Sequence, residues 1–247
     1  MRILSLDTTT KEGSAAIVED DGVIDVRQGD GSRSHAERLP GELIALLGAH
    51  GLSFRDVDVF AIARGPGSFT GLRIGIATIQ GLAFTCGRPV VAVSALDALA
   101  HQAIVTTDEP GTRNLEPGTL VVAWMDAHRR EVFSAVYRVT AAPVFEAGRL
   151  AVVEGARAVP PLAMLEQLQT VASADTMAFT GDGAVLYADD IRRVFPAADV
   201  VPLQPIAGAI GLIARACALR GETTDPAAIQ PLYVRRPDAE VARDARR

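Results

Sequence analysis

The sequence predicts an α/β protein built from two related halves, and three observations support this. Short apolar runs alternate with stretches of helical spacing along most of the 247 residues. The chain also begins again halfway: Val121 to Asp126 is an apolar run ending in an acid, as Ile3 to Asp7 is, and a charged turn, Ala127 to Arg130, leads into Glu131 to Val139 just as Thr8 to Gly13 leads into Ser14 to Val18. Finally, 49% hydrophobic and 22% charged residues describe a globular chain, long enough for one large domain or two small ones.

In chain order, Arg2 to Asp7, Ser14 to Val18 and Val23 to Val26 read as three strands joined by tight turns. From Ser34 the spacing becomes helical, with Leu39, Leu43, Leu46 and Leu47 on one side and Ser34 as N-cap. Pro40 interrupts that pattern and predicts a kink or a late first turn. Asp58 to Ala63 follows as a strand, Gly65-Pro66-Gly67 as a turn, Phe69 to Phe84 as a helix, Pro89 to Val93 as a strand and Ala95 to about Ile104 as a short helix. Residues 106–118 lack periodicity and predict an irregular linker between a first domain over 1–105 and a second over 119–236. Beyond the strand that ends at Val139, the pattern predicts a helix near Pro161 to Leu168 and a strand at Met177 to Thr180. A glycine turn, a helix to about Phe195 and a last helix from about Ile206 to Leu219 complete it, and 237–247 reads as a frayed, charged tail.

Several classes of function are excluded or made unattractive. The uncharged run Ile74 to Gly87 is shorter than the roughly 18 apolar residues of a membrane span. Asp7 interrupts the amino-terminal apolar run where a secretory signal would continue, so the expectation is a cytoplasmic protein. Cys86 and Cys217 sit in apolar helical patterns and read as reduced core residues. The histidines 35, 50, 101 and 128 are scattered without metal-ligand spacing, and no Gly-x-Ser-x-Gly elbow occurs. A net charge of -6 argues against wrapping nucleic acid without a partner, and the separated arginine pairs, Arg129-Arg130 among them, read as solvated surface.

Two turns carry candidate chemistry. Asp7, Thr8 and Thr9 end a buried strand, where an acid and hydroxyls either hold a magnesium-bound water and face a phosphate or only satisfy a hairpin turn. Gly181 and Gly183 follow a strand and precede a helix, which suits either a phosphate contact or an ordinary turn. The most distinctive run is Gly65 to Gly75, GPGSFTGLRIG, which opens a helix with few polar positions. A helix apolar nearly all round is buried on both sides, by its own neighbours or by another subunit.

Taken together and in order, Leu4 to Thr8, Ser34 to Glu37, Gly65 to Gly75, Met125 to Ala127, Glu131 to Phe133 and Pro231 to Arg235 resemble the TsaB family of tRNA threonylcarbamoyladenosine biosynthesis over nearly the whole chain. The resemblance implies the actin, Hsp70 and sugar-kinase-like fold of two duplicated βββαβα domains. It also implies a non-catalytic subunit that pairs with TsaD, works with the ATPase TsaE, and meets tRNA only through the complex. TsaD holds metal through a His-x-x-x-His pair, and the matching positions here are Ala95 and Leu99, so no metal and no catalytic residue is expected. The two amino-terminal helices would form the shared bundle through Leu39, Leu43, Leu46, Leu72, Ile76, Ile79 and Ala83, a face that TsaB proteins also use to self-associate. No cofactor of its own is implied, with ATP or ADP a matter for the assembled complex. The competing expectation is a nucleotide-dependent kinase or phosphatase of the same fold, using Asp7, Thr8, Thr9, Gly181 and Gly183.

Overall fold

The computed structural model describes residues 1–108, 111–172, 176–201 and 204–235. The first half holds β1 (Arg2–Asp7), β2 (Ser14–Glu19), β3 (Gly22–Gln28), α1 (His35–Gly48), β4 (Val59–Ala63), α2 (Phe69–Cys86), β5 (Val90–Val93) and α3 (Ala95–Ile104). A hairpin, β6 (Val105–Asp108) and β7 (Gly111–Asn114), comes next. The second half then repeats the plan with β8 (Leu120–Asp126), β9 (Val132–Val139), β10 (Leu150–Val159), α4 (Pro161–Ala172), β11 (Met177–Thr180), α5 (Asp182–Leu186), α6 (Ala188–Val194), β12 (Asp199–Val200) and α7 (Ala207–Leu219).

The two five-stranded sheets have the same order, β3-β2-β1-β4-β5 and β10-β9-β8-β11-β12. In each, the first three strands are antiparallel and the next two join in parallel through helical crossovers. This duplication is the actin, Hsp70 and sugar-kinase-like fold that the resemblance implies.

Three apolar cores follow from which face each side chain takes. Leu4, Leu6, Ile17, Phe60 and Ile62 project from the first sheet onto α1 and α2. Trp124, Val136 and Phe179 project from the second onto Met164, Leu165, Ala184 and Ile191 of α4 to α6. The alternate residues of both sheets, Ile3, Ala61 and Val91 on one and Val121, Ala123 and Ala135 on the other, share a core with α3 and α7. Strand alternation puts one set of side chains on each face. Both sheets are therefore apolar on two sides.

The shared layer corrects the expected domain division. The Ser5 hydroxyl donates to the Ala207 carbonyl at 2.7 Å and the Ala207 N–H donates to Ser14 Oγ at 3.1 Å, so α7 packs on the first sheet although it was expected in the second domain. Conversely α3, expected in the first domain, packs on β8, β9 and β11, and the Tyr137 hydroxyl of β9 donates to Asp97 Oδ1 at 2.5 Å. Each half lends its last helix to the space between the sheets.

Other expectations are also corrected. The segment 106–118 is not irregular throughout, because it carries most of the β6–β7 hairpin. Strand β10 was not foreseen, and the helix expected to run to Phe195 is two short helices separated at Tyr187. Pro40 lies inside an unbroken α1 on its exposed side, where solvent can take the carbonyl of Ala36 that loses its partner. The tail over 237–247 lies outside the described residues.

The glycines of the Gly65 to Gly75 run permit a close approach. A Cβ on Gly71 would lie 2.2 Å from the Thr8 carbonyl oxygen, and one on Gly75 would lie 2.1 Å from Thr8 Oγ1. Replacing Gly71 with Ala is expected to destabilise the chain by about 3 kcal/mol, because the obstacle is backbone. Gly41→Ala, where a Cβ meets nothing within 4 Å on an exposed face of α1, is expected to stabilise it by about 0.5–1 kcal/mol. Urea titrations of the two variants check both signs.

Candidate functional site

Strands β1 and β8 each end in an aspartate, and their ends border one cavity through Asp7 and Met125. Asp7 Oδ1 accepts the Thr9 N–H at 2.8 Å and the Thr9 hydroxyl at 2.6 Å. Asp126 Oδ1 accepts the His128 N–H at 2.8 Å in the same i to i+2 turn, and Asp126 Oδ2 lies 3.1 Å from His128 Nδ1. A third acid, Asp182 at the start of α5, accepts the N–H groups of Asp126 at 3.0 Å and Gly183 at 2.9 Å. Asp182 therefore lies within electrostatic reach of both strand ends, acting on Asp7 and being acted on by Asp126.

Burial pushes the Asp7 carboxyl up from its ordinary value, against the hydrogen bonds from Thr9, and the nearby charge of Asp182 adds to the effect. Burial also raises Asp182, with the Asp126 charge contributing in the same direction. A buried carboxylate without a cation resists ionisation because its charge is poorly solvated.

Beside Asp7 and Asp182 lies a small cavity of about 150 Å³, whose lining also includes Thr9, Glu12, Leu99, Met125 and Ile206. It adjoins a broad cleft of about 1060 Å³ between the halves, bordered by the starts of α1 and α2, the turn 126–128 and the segment 232–235. At the start of α1, Ser34 N–H and Oγ–H donate to the Glu37 carboxylate at 3.0 and 2.7 Å. His35 Nε2 donates to the Thr10 carbonyl at 2.9 Å while Arg38 donates to His35 Nδ1 at 2.8 Å, which fixes the tautomer. Burial, with the Arg38 charge beside it, holds the His35 pKa below its usual value. Arg38 also grips the carbonyls of Lys11 and Glu12, so α1 clamps the β1–β2 turn.

The expected nucleotide contacts are brought together only in part. Asp7 and Thr9 line the small cavity, whereas Thr8 is fully buried behind it against α2. Gly181 and Gly183 serve packing: a Cβ on Gly181 would lie 2.0 Å from the Trp124 carbonyl oxygen and one on Gly183 3.0 Å from the Met125 carbonyl carbon. That turn rests on the end of β8 and does not open a loop to the cleft. Asp7, Glu12 and Asp182 give the small cavity an acidic lining, and Asp126 borders the broad cleft instead. No group of three or more His, Cys, Asp or Glu side chains among the described residues could hold a metal.

All seven side chains expected at a partner surface point the other way. Leu39, Leu43, Leu46, Ile76, Ile79 and Ala83 are buried in the core that α1 and α2 share with the first sheet, Leu72 is fully buried as well, and this corrects their assignment as contact residues. The opposite faces of the same helices stand open, with Ile44 60% and Phe84 84% exposed among Pro40, Gly41, Ala45, Gly48, Ala77 and Gly81. Sequence reasoning missed Ile44 and Phe84. In α2 the stripe Leu72-Ile76-Ile79-Ala83 stays within about 40° of one line, whereas Phe84 falls about 120° away from it. That offset was the available signal.

The family profile described as TsaD, tRNA N6-adenosine threonylcarbamoyltransferase, matches residues 28–201. An uncharacterized protein of Mycobacterium tuberculosis is 32% identical over 240 residues, 96% of this chain and 93% of that one. YeaZ from Pseudomonas aeruginosa superposes with a TM-score of 0.73 at 30% identity, covering 94% of this chain and 99% of YeaZ. The tRNA threonylcarbamoyladenosine biosynthesis protein TsaB of Escherichia coli is 36% identical over 138 residues, 56% of this chain and 55% of that protein. The chain belongs to the TsaB family.

Within this TsaB-family chain, Ala95 and Leu99 occupy the start of α3. Ala95 is fully buried, and Leu99 closes the small cavity beside the acids. No helix among the described residues is long and apolar enough to cross a membrane.

The raised Asp7 pKa has a sign that can be tested. An acid easier to protonate when folded contributes most below its unfolded value of 3.8, and that contribution is lost as pH rises through the raised folded value. Asp7→Asn, which keeps an acceptor for Thr9, is therefore expected to melt above the parent protein at pH 7. The difference should shrink towards zero near pH 3, and thermal melts at the two pH values decide it.

Proposed function

We propose that this chain is a non-catalytic scaffold subunit in the formation of threonylcarbamoyladenosine in tRNA, acting with a TsaD partner. On this reading the complex transfers threonylcarbamoyl from its adenylate to N6 of adenosine 37, with TsaE as the ATPase, and the chain works in the cytoplasm and meets tRNA through its partners. The observation that carries it is the open face of α1 and α2. Ile44 and Phe84 project among glycines, alanines and a proline, and the adjoining side chains of the two helices are already committed to the core. Small residues let another helix approach closely, and isolated large apolar groups then supply anchors for it. A second copy of the chain would compete for that face, so homodimer and heterodimer exclude each other.

The cleft chemistry supports the non-catalytic part of the reading. Alanine and leucine stand at the two positions where the resemblance places the histidine ligands of TsaD, and neither side chain can coordinate a metal. The glycine turn over 181–183 is used up in packing on β8. Any nucleotide involved would therefore belong to the assembled complex.

Native mass spectrometry of the chain with TsaD tests the reading directly. A one-to-one complex is expected, and Phe84→Asp should weaken it by about 2 kcal/mol or more, roughly thirtyfold, without lowering the melting temperature. Leu43→Asp should instead unfold the chain, since Leu43 is fully buried and an unpaired buried charge costs about 3 kcal/mol or more. No complex at any concentration would overturn the proposal, and ATP turnover by the lone chain, abolished by Asp7→Ala, would favour the kinase or phosphatase reading.

A further inference from the structure

The last described stretch of the chain is fastened to the first half and reaches the second through Val234 and Arg235. After α7, Thr224 pairs with Val90 of β5, and the Gln80 side chain of α2 donates to the Pro226 carbonyl at 2.8 Å. Ile229 is buried in the core beneath α1 and α2, and the Leu232 N–H donates to the Arg64 carbonyl at 2.7 Å. Tyr233 then lies over the first turn of α2, its ring 5.2 Å from that of Phe69, and its hydroxyl accepts from Arg73 Nε at 3.1 Å. The Arg73 guanidinium in turn sits 3.8 Å above the Phe69 ring. Two residues on, Arg235 crosses the cleft, where Nη1 donates to Glu131 Oε2 at 3.0 Å and the guanidinium lies 5.9 Å from the Phe133 ring.

We infer that residues 229–235 form a latch that couples closure of the interlobe cleft to the first turn of α2. Arg235 and Glu131 are both about a third exposed, so their ion pair biases the cleft without locking it. Leu99 and Ile206, beside the shared helical layer, wall the small cavity that adjoins the cleft, whereas Arg235 borders only the cleft. A weak tie far from a packed hinge has the longest lever on the opening. Tyr233 and Arg235 are two residues apart, across a bend at 234–235, so a displacement at Glu131 is transmitted to Phe69 and Arg73 over two peptide bonds. Whatever docks on α2 thereby senses the cleft.

Hydrogen exchange followed by mass spectrometry on the full chain tests it in two segments, 67–74 at the start of α2 and 126–131 at the β8–β9 turn. Glu131→Gln and Arg235→Gln are each expected to speed exchange in both segments by about two- to fivefold, the range of an exposed ion pair, with an unchanged melting temperature. The exchanged pair Glu131→Arg with Arg235→Glu should restore exchange near the parent rates. Tyr233→Phe, which keeps the ring and removes the acceptor for Arg73, should speed exchange in 126–131 although it does not touch that turn. Acceleration confined to 126–131 in the ion-pair variants, or none in either segment, overturns the latch.

Discussion

The molecule depends on one apolar layer, α3 and α7 held between two sheets. Each sheet is two-faced, and each would expose its inner row, Ala61 and Val91 on one side and Val121 and Ala135 on the other, if the layer were missing. The helices come from equivalent places in the two halves, but α7 docks on the first sheet and α3 on the second. Neither half therefore completes its core alone. The exchange makes the two halves one cooperative unit in which small residues, such as the alanines of both helices, permit close packing on two sides at once.

That arrangement also decides where a site can form. Because the shared layer holds the two sheets together, the ends of β1 and β8 border one small cavity through Asp7 and Met125, and Asp182 lies within electrostatic reach of both Asp7 and Asp126. The same geometry accounts for the limits of the site. Burial raises Asp7 and Asp182, and Leu99 and Met125 add apolar side chains to a lining that also holds Thr9, Glu12 and Gln204.

Much of this plan was legible in the sequence because it rests on local period and repetition. The two runs ending in Asp7 and Asp126 gave the duplication, and the helical stripes gave α1 and α2 nearly to the residue. Strand β10 was not legible for a physical reason: its register shifts at Val152/Glu154 and Glu154/Arg157 break the alternation that marks a strand, and it lies at the sheet edge with much of both faces wet. The exchange of α3 and α7 left no local trace either, since an apolar helix reads the same whichever sheet it covers. The residues expected at a partner surface failed on the same ground. Periodicity identifies Leu39, Leu43, Ile76 and Ile79 as a buried stripe, but it does not say what buries them.

The correction strengthens the case for a docking face. A helix whose main stripe is spent on its own core has only its residual face to offer, and here that face is built of Gly41, Ala45, Gly48, Ala77 and Gly81 with Ile44 and Phe84 standing above them. Large exposed apolar groups set among small ones are poorly suited to contact with water and well suited to a second pair of helices. Since the first turn of α2 also carries Phe69 and Arg73, the face ends at the strap that reaches Glu131. The surface available for assembly and the cleft between the halves are thus joined by covalent chain as well as by packing, which is the physical route by which one can influence the other.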